Sequence, residues 1–386
     1  MTGTQLEPDR IVELFNLRER GVIPAGNAIY VQSGDSSDFD GYLIAAAGDV
    51  LQRQTPNLNF AVVVPERRAW RDKDEPDTTK HDPANGEEVL ATAGAVLRHL
   101  CPRTALVRGP LNQRNLVPWR MSFNEHEKYG PLLQGLPPVD TQWTQLRELA
   151  DRVLNPEVTS VLLDMNGSIG YLDSLVKALG PEGEEVLGRK MKAAGLPVVL
   201  MAGVQAELAP QTLPLPGRDP RATANAIYHP DGVRVLLRLA KEHDVPLLFV
   251  TNNACNRLLR FGDAGEVAAG LGLVAGGLLR RISDTWFGLP HLQGKCVPFD
   301  WVAFTAMLLY GREPSAMKLV RQELWVGAND SSVLVLRDTS QPQGDIVAKN
   351  LEGTELYGIV ESVYDIDHAA MLALARHAAA NAAANP

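Results

Sequence analysis

The stretch NAIYVQSGDSSDFDGYLIAAAGDVLQRQ, residues 27–54, decides the fold. NAIYVQS at 27–33 reads as an apolar strand, and GYLIAAAGDVLQRQ at 41–54 reads as a helix. Between them lies an acidic loop, GDSSDFD, at 34–40. Outward from this unit the alternation repeats. Strands are expected at 59–65, 104–110, 158–164, 197–202 and 246–253. Helices are expected at 87–101, 141–154, 170–180, 230–244, about 264–281 and 298–310. Strand and helix in turn over 27–310 predict an α/β fold, a mostly parallel central sheet flanked by helices. Beyond it come short strands at 324–328, 332–338, 344–349 and 355–363, then a last helix at 367–380. An amphipathic helix at 4–20 precedes the first strand, with Ile11, Leu14, Phe15 and Leu17 at helical spacing.

Ligands of open parallel sheets bind beyond the C-terminal strand ends, so the residues after each strand are the place to look for chemistry. Asp35, Asp38 and Asp40 follow the first strand directly. Three converging carboxylates repel unless a cation neutralises them, and hard cations such as Ca²⁺ or Mg²⁺ take oxygen ligands. A solvated turn with Asp40 capping the next helix is the other reading. Glycine-rich nucleotide motifs of the G-x-G-x-x-G and Walker A types are absent. Proline-rich loops are expected at 66–86, 111–140 and 203–222; 111–140 is too long for an idle connector and reads as a lid or active-site loop.

Composition sets the outer limits. The chain has 386 residues, 45% hydrophobic and 22% charged, which excludes wholesale disorder. A net charge of −9 supplies no basic face for nucleic acid. The three cysteines, Cys101, Cys255 and Cys296, are too scattered for a disulfide framework or a cysteine zinc site. No apolar run approaches a membrane span, and the N-terminus is polar and acidic. The expectation is a cytoplasmic protein with a small-molecule substrate, no nucleic acid and no membrane.

At this point the blocks resemble those of the inosine–uridine-type nucleoside hydrolases. The family opens on Asp-x-Asp-Pro-Gly-x-Asp-Asp after its first strand. With Asp40 on the last position, Asp35 takes the second Asp, Ser33 the first, and Phe39 the penultimate Asp that binds ribose hydroxyls. Asp38 lies one residue off register and is the substitute carboxylate. The block VLLDMNGSIGYLDSLVKAL places Ile169 on the threonine whose carbonyl binds Ca²⁺. VVLMAG with TANAIYHPDGVRVLL places Asn225 on the ribose-binding Asn and Thr223 on the preceding Glu. CVPFDWVAFTAM places Asp300 on the Ca²⁺-binding Asp and Phe299 on the leaving-group His. The last strand and helix, GIVESVYDIDHAAMLALARH, also resemble the family's.

The resemblance runs over 27–380 and divides the chain into an N-terminal helical extension, 1–26, a nucleoside-hydrolase-like domain, 27–380, and a frayed tail, 381–386. It implies a Ca²⁺-dependent hydrolase of an N-glycosidic bond, with homodimers or homotetramers. Asp35 would be ligand and general base, Asp40, Asp300 and the Ile169 carbonyl further ligands, and Asn225 a sugar contact. The sugar and base positions are changed at Phe39, Thr223 and Phe299, which implies a modified sugar pocket. Two alternatives are a non-catalytic binding or regulatory protein on this scaffold, and a biosynthetic enzyme with another metal-assisted reaction.

Other candidates belong to the loops and strand ends. His291, nine residues before Asp300, and His126 are candidates for the missing acid. Trp119 is a candidate for stacking on a base, Tyr129 shares its loop, and Asn166 follows a strand. Asn252 and Asn253 end the VTNN strand, Glu207 follows another, and Asp164 stands at a strand end or caps a turn. His229, Pro230 and Asp231 read as a helix cap rather than ligands, and ERRAWRDK at 66–73 as a basic loop for a phosphate or carboxylate, or a solvated one.

Overall fold

The computed structural model describes residues 6–19, 23–34, 38–66, 83–111, 125–208, 219–289, 292, 294 and 296–383. Seven strands form its parallel part. They are β1 (Asn27–Ser33), β2 (Leu58–Glu66), β3 (Ala105–Leu111), β4 (Trp143–Gln145), β5 (Val158–Met165), β6 (Val198–Leu200) and β8 (Leu247–Phe249). The short β7 (Val204–Gln205) precedes β8 in the chain, and β9 (Met317–Gly327), β10 (Leu334–Arg337) and β11 (Thr354–Ile366) complete the sheet. The order across it is β4-β3-β2-β1-β5-β6-β8-β11-β9-β10-β7. β11 pairs parallel with β8, while β9 runs antiparallel to both β11 and β10. The mostly parallel α/β architecture is the one the alternation predicts.

Helices cover both faces. Tyr30, Phe60 and Leu162 face α2 (Phe39–Gln54), α12 (Phe299–Leu309) and α14 (His368–Ala383). Ile29, Val31 and Leu163 face α5 (Leu146–Leu154), α6 (Tyr171–Ala193) and α8 (Pro230–Glu242). The alternation along β1 and β5 is the period-2 pattern of strands buried on both sides. Every residue of α2 from Phe39 to Leu51 is buried, so α2 is a central helix rather than a surface one. Gly48 admits the Phe60 ring against this helix; a Cβ there would sit 2.2 Å from Phe60 Cε1. Gly48→Ala is therefore expected to cost about 1–3 kcal/mol through overpacking, despite the better helix propensity of alanine. Urea unfolding checks the sign.

Several elements differ from the sequence expectation. The helix expected over 141–154 starts only at Leu146, because β4 occupies 143–145 as the sheet edge. The helix expected over 170–180 continues to Ala193, across a kink where Gly180 has φ +70° and Pro181 restarts the turn. The 264–281 helix is two, α10 (Ala264–Leu271) and α11 (Leu278–Phe287), parted at the left-handed Gly272. Residues 344–349 lie in a helix, α13 (Asp345–Leu351), not a strand. The strand expected over 246–253 ends at Phe249, because Thr251 caps α9 (Asn252–Leu258) by accepting from Ala254 N at 3.2 Å. Of the helix expected over 4–20, α1 (Pro8–Leu14) forms, and Arg312 holds its end by donating to the carbonyls of Leu14 (2.6 Å) and Asn16 (3.1 Å). Among the described residues no helix is long and apolar enough to cross a membrane.

Candidate functional site

The C-terminal strand ends gather several chain segments. Ser33, the last residue of β1, accepts a hydrogen bond from Gly167 N at 2.8 Å and so ties the β1 exit to the loop after β5. Asp38 is the N-cap of α2 in extended conformation, and its side chain makes no capping bond. The cap is instead supplied two residues later. The Asp40 carboxylate accepts from its own N–H and that of Gly41, and its Oδ2 accepts from Asp300 N at 2.8 Å. Asp300 is the second residue of α12, as Asp40 is of α2. One buried carboxylate thus closes the starts of two helices, whose N-terminal dipoles favour negative charge. The second carboxylate, Asp300, is buried beside it: the two residues are 3% and 4% exposed.

Cys255, in α9, marks where they converge. Its Sγ donates weakly to the Phe299 carbonyl at 3.7 Å. Burial, and then the Asp300 and Asp40 charges, push its thiol well above the usual range. Burial also raises Asp40, to about 6, against the three N–H donors that favour its charged form. Sequence reading counted Cys255 only among scattered cysteines; its position four residues after Thr251, in the first turn of the helix that follows β8, was the available signal.

The next layer down is polar as well. Asp164 does not cap a turn. It lies within β5, fully buried, with Oδ2 accepting from the Tyr30 hydroxyl at 2.8 Å. Burial raises Asp164 to about 7, while Tyr30 and the Asn166 amide pull it down. Asn166 is buried, and its Oδ1 has no hydrogen-bond partner among the described residues. The Asn166 carbonyl accepts from Asn225 Nδ2, which also donates to the Met201 carbonyl at 3.1 Å. Asn225, in α7 (Ala224–Tyr228), therefore pins the exits of β5 and β6 together. Thr223, the N-cap of α7, accepts from Gly203 N at 3.3 Å.

The remaining sequence candidates separate by location. Ile169 is fully buried; its carbonyl accepts from Leu172 N at 3.2 Å and lies against Gly232, where a Cβ would come within 2.5 Å of it. Phe39 has no exposed surface and meets Phe287 edge-on, ring centroids 5.5 Å apart. Phe299 is partly buried on the same core. Tyr129 sits in the core, edge-on to Tyr42, rather than on an open loop. Asn252 and Asn253 open α9 instead of ending a strand. The Glu207 carboxylate accepts from Asp338 N at 2.8 Å. His229 ends α7 and begins α8 through its backbone, but its ring makes no cap; Nε2 meets the Leu111 carbonyl at 3.1 Å. Asp231 pairs with Arg234 at 2.9 Å. Asp35, Trp119 and His291 lie outside the described residues, as does most of the 66–73 loop. His126 stands in α4 (Glu125–Lys128), with its side chain outside them. Among the described residues no three His, Cys, Asp or Glu side chains are grouped to hold a metal ion.

No protein-family model and no curated protein matches this sequence. Solved structures do match the fold. The chain is similar to the inosine-uridine preferring nucleoside hydrolase from Bacillus anthracis, with 13% identity and a TM-score of 0.57, over 92% of this chain and 100% of that one. It is similar to the purine-preferring ribonucleoside hydrolase from Gardnerella vaginalis, with 14% identity and a TM-score of 0.55, over 92% and 100%. It is also similar to the type III effector protein XopQ, solved in complex with adenosine diphosphate ribose, with 15% identity and a TM-score of 0.51, over 97% and 99%. The likeness shows a nucleoside-hydrolase-like α/β fold spanning nearly the whole chain.

Proposed function

We propose that the chain is a Ca²⁺-dependent hydrolase that cleaves the N-glycosidic bond of a nucleoside or nucleoside-like substrate. The observation that carries this reading is the buried Asp40–Asp300 pair where the N-termini of α2 and α12 meet. Two carboxylates side by side out of water are costly unless a cation joins them, and their oxygens are the donors that Ca²⁺ takes. The residues present therefore fit a hard divalent ion. Asp40, Asp300, Asp35 and the Ile169 carbonyl would hold it, the carbonyl keeping a second lone pair beside its bond to Leu172. When bound, such an ion lowers the pKa of a water to the range where it becomes a nucleophile.

The protein's own groups do the rest. Asp35 would accept the proton of the attacking water. Asn225 has committed its Nδ2 to two carbonyls, which leaves Oδ1 for a sugar hydroxyl. Burial of Asp40 and Asp300 keeps water away from their charges and strengthens their attraction for positive charge developing on a sugar ring. Phe39 changes the specificity. Where the family resemblance puts a sugar-binding carboxylate, this chain has a buried aromatic against Phe287. A charge-assisted hydrogen bond lost there is worth about 1.5–3 kcal/mol, so a deoxy or modified sugar is the expected substrate.

Phe39 also favours a second reading, a non-catalytic binding protein on the same scaffold. Sugar release separates the two. The panel is ribonucleosides, 2′-deoxynucleosides and, because one structural neighbour was solved with it, adenosine diphosphate ribose. Release of reducing sugar with Ca²⁺, lost on chelation, supports the hydrolase. Binding without release from any member supports the second reading.

A further inference from the structure

The opposite end of the sheet carries a groove. The N-terminal ends of β1, β2, β3 and β5 border a groove of about 520 Å³, large enough for a nucleotide-sized molecule. Beneath it Ile29, Ala61, Leu106 and Leu149 are buried in the core, and Gln52, Asn59, Gln142 and Asn155 supply polar lining. Its charged lining is Arg98, Arg103 and Arg152, with no Asp or Glu, in a chain of net charge −9. Arg103 is matched by Asp49, buried in α2, at 3.6 Å, and Asp49 also pairs with Arg53 at 3.1 Å. Arg98 has no carboxylate partner among the described residues. Its Nη1 is held by the carbonyls of Pro102 (2.9 Å) and Thr104 (3.1 Å), and its buried Nε is unpartnered there. Arg152 makes no ion pair among the described residues either.

A guanidinium fixed by carbonyls, with no carboxylate partner among the described residues, is oriented but not neutralised. Arginine forks match phosphate oxygens two at a time, which makes phosphate the anion of choice over a single carboxylate. The groove's volume exceeds what a bare inorganic ion fills. We propose that this groove binds a small organic phosphate, its phosphate held by Arg98 and Arg152 and the rest of the molecule filling the groove. It lies across the sheet's length from Asp40 and Asp300, because parallel strands put their starts and their exits at opposite ends.

The test is calorimetric titration of the full chain with adenosine monophosphate and with inorganic pyrophosphate, Arg152→Gln telling binding in the groove from binding at the strand exits. The expected result is one site per chain, weakened by salt, with adenosine monophosphate the tighter ligand. Arg152→Gln is expected to weaken it about tenfold, the loss of one charge-assisted bond. Arg98→Gln is expected to weaken it at least as much, and thermal melting shows whether that variant keeps its fold. Since Arg152 is exposed, its variant decides the question alone if Arg98→Gln unfolds. Absence of saturable binding overturns the proposal. So does binding that Arg152→Gln leaves unchanged. Pyrophosphate binding as tightly as adenosine monophosphate overturns the organic class.

Discussion

Asp300→Asn is expected to abolish calcium-dependent sugar release and to weaken Ca²⁺ binding by more than the 10- to 100-fold typical of losing an outer partner of a metal ligand. The same change should raise the melting temperature of the calcium-free protein. Asp40 and Asp300 are both buried, and their charges together raise the nearby Cys255 thiol. Removing one buried charge without changing the side chain's size removes the cost of keeping that charge from water. The wild type should gain stability as Ca²⁺ is added, by RT ln(1 + [Ca²⁺]/Kd), and the variant should gain little. Thermal melts of both chains, with chelator and with Ca²⁺ in excess, check the crossing. A simple capping role gives a different pattern. If these aspartates only closed helix starts, added Ca²⁺ would move neither melt. Asp40→Ala would then lower stability with or without the ion, because the N–H groups of Asp40, Gly41 and Asp300 would all lose their acceptor. That pattern would sink the metal reading.

The contrast between Asp40 and Phe39 explains how much of this site sequence could reveal. Strand, acidic loop and helix were legible because β1 and α2 declare themselves by local pattern: seven apolar-rich residues, then a helix buried on all sides. The pairing of Asp40 with Asp300 was legible only through a resemblance of blocks. Their contact joins positions 260 residues apart, and no local period reports such a contact. Phe39 was readable as a changed residue but not as a buried one. Its burial depends on Phe287, from α11, an element whose start the sequence misplaced because Gly272 divides the run. Tyr129 failed for the same reason: proline density around it suggested a loop, yet Tyr42 of α2 takes it into the core. Cys255 was missed because a lone cysteine carries no spacing. Only the fold places it beside two carboxylates.

Asp164→Asn is expected to stabilise the protein at pH 8 and to flatten its pH dependence between about pH 4 and pH 7. Asp164 is fully buried in β5, and its Oδ2 accepts from the hydroxyl of Tyr30, whose ring stacks on Phe60 at 4.9 Å. Burial raises its pKa from 3.8 to about 7. The sign follows from which state holds the proton. Below pH 3.8 folded and unfolded chains are both protonated, and the group costs nothing. Between about 4 and 7 the unfolded chain ionises while the folded chain keeps its proton, so stability falls as pH rises. Above 7 the loss is complete, about 4 kcal/mol at ~1.4 kcal/mol per pKa unit. Asparagine cannot ionise, and its Oδ1 can still accept from Tyr30. Asp40, raised to about 6, tilts stability in the same direction and is present in both chains, so the difference between them isolates Asp164. Urea unfolding at pH 4.5 and pH 8 measures both slopes. Parallel slopes would mean that Asp164 is charged in the folded protein, with water or an ion satisfying the Oδ1 that has no partner among the described residues. A steeper slope in Tyr30→Phe would complete the case, because removing the donor that favours the charged form drives Asp164 higher still.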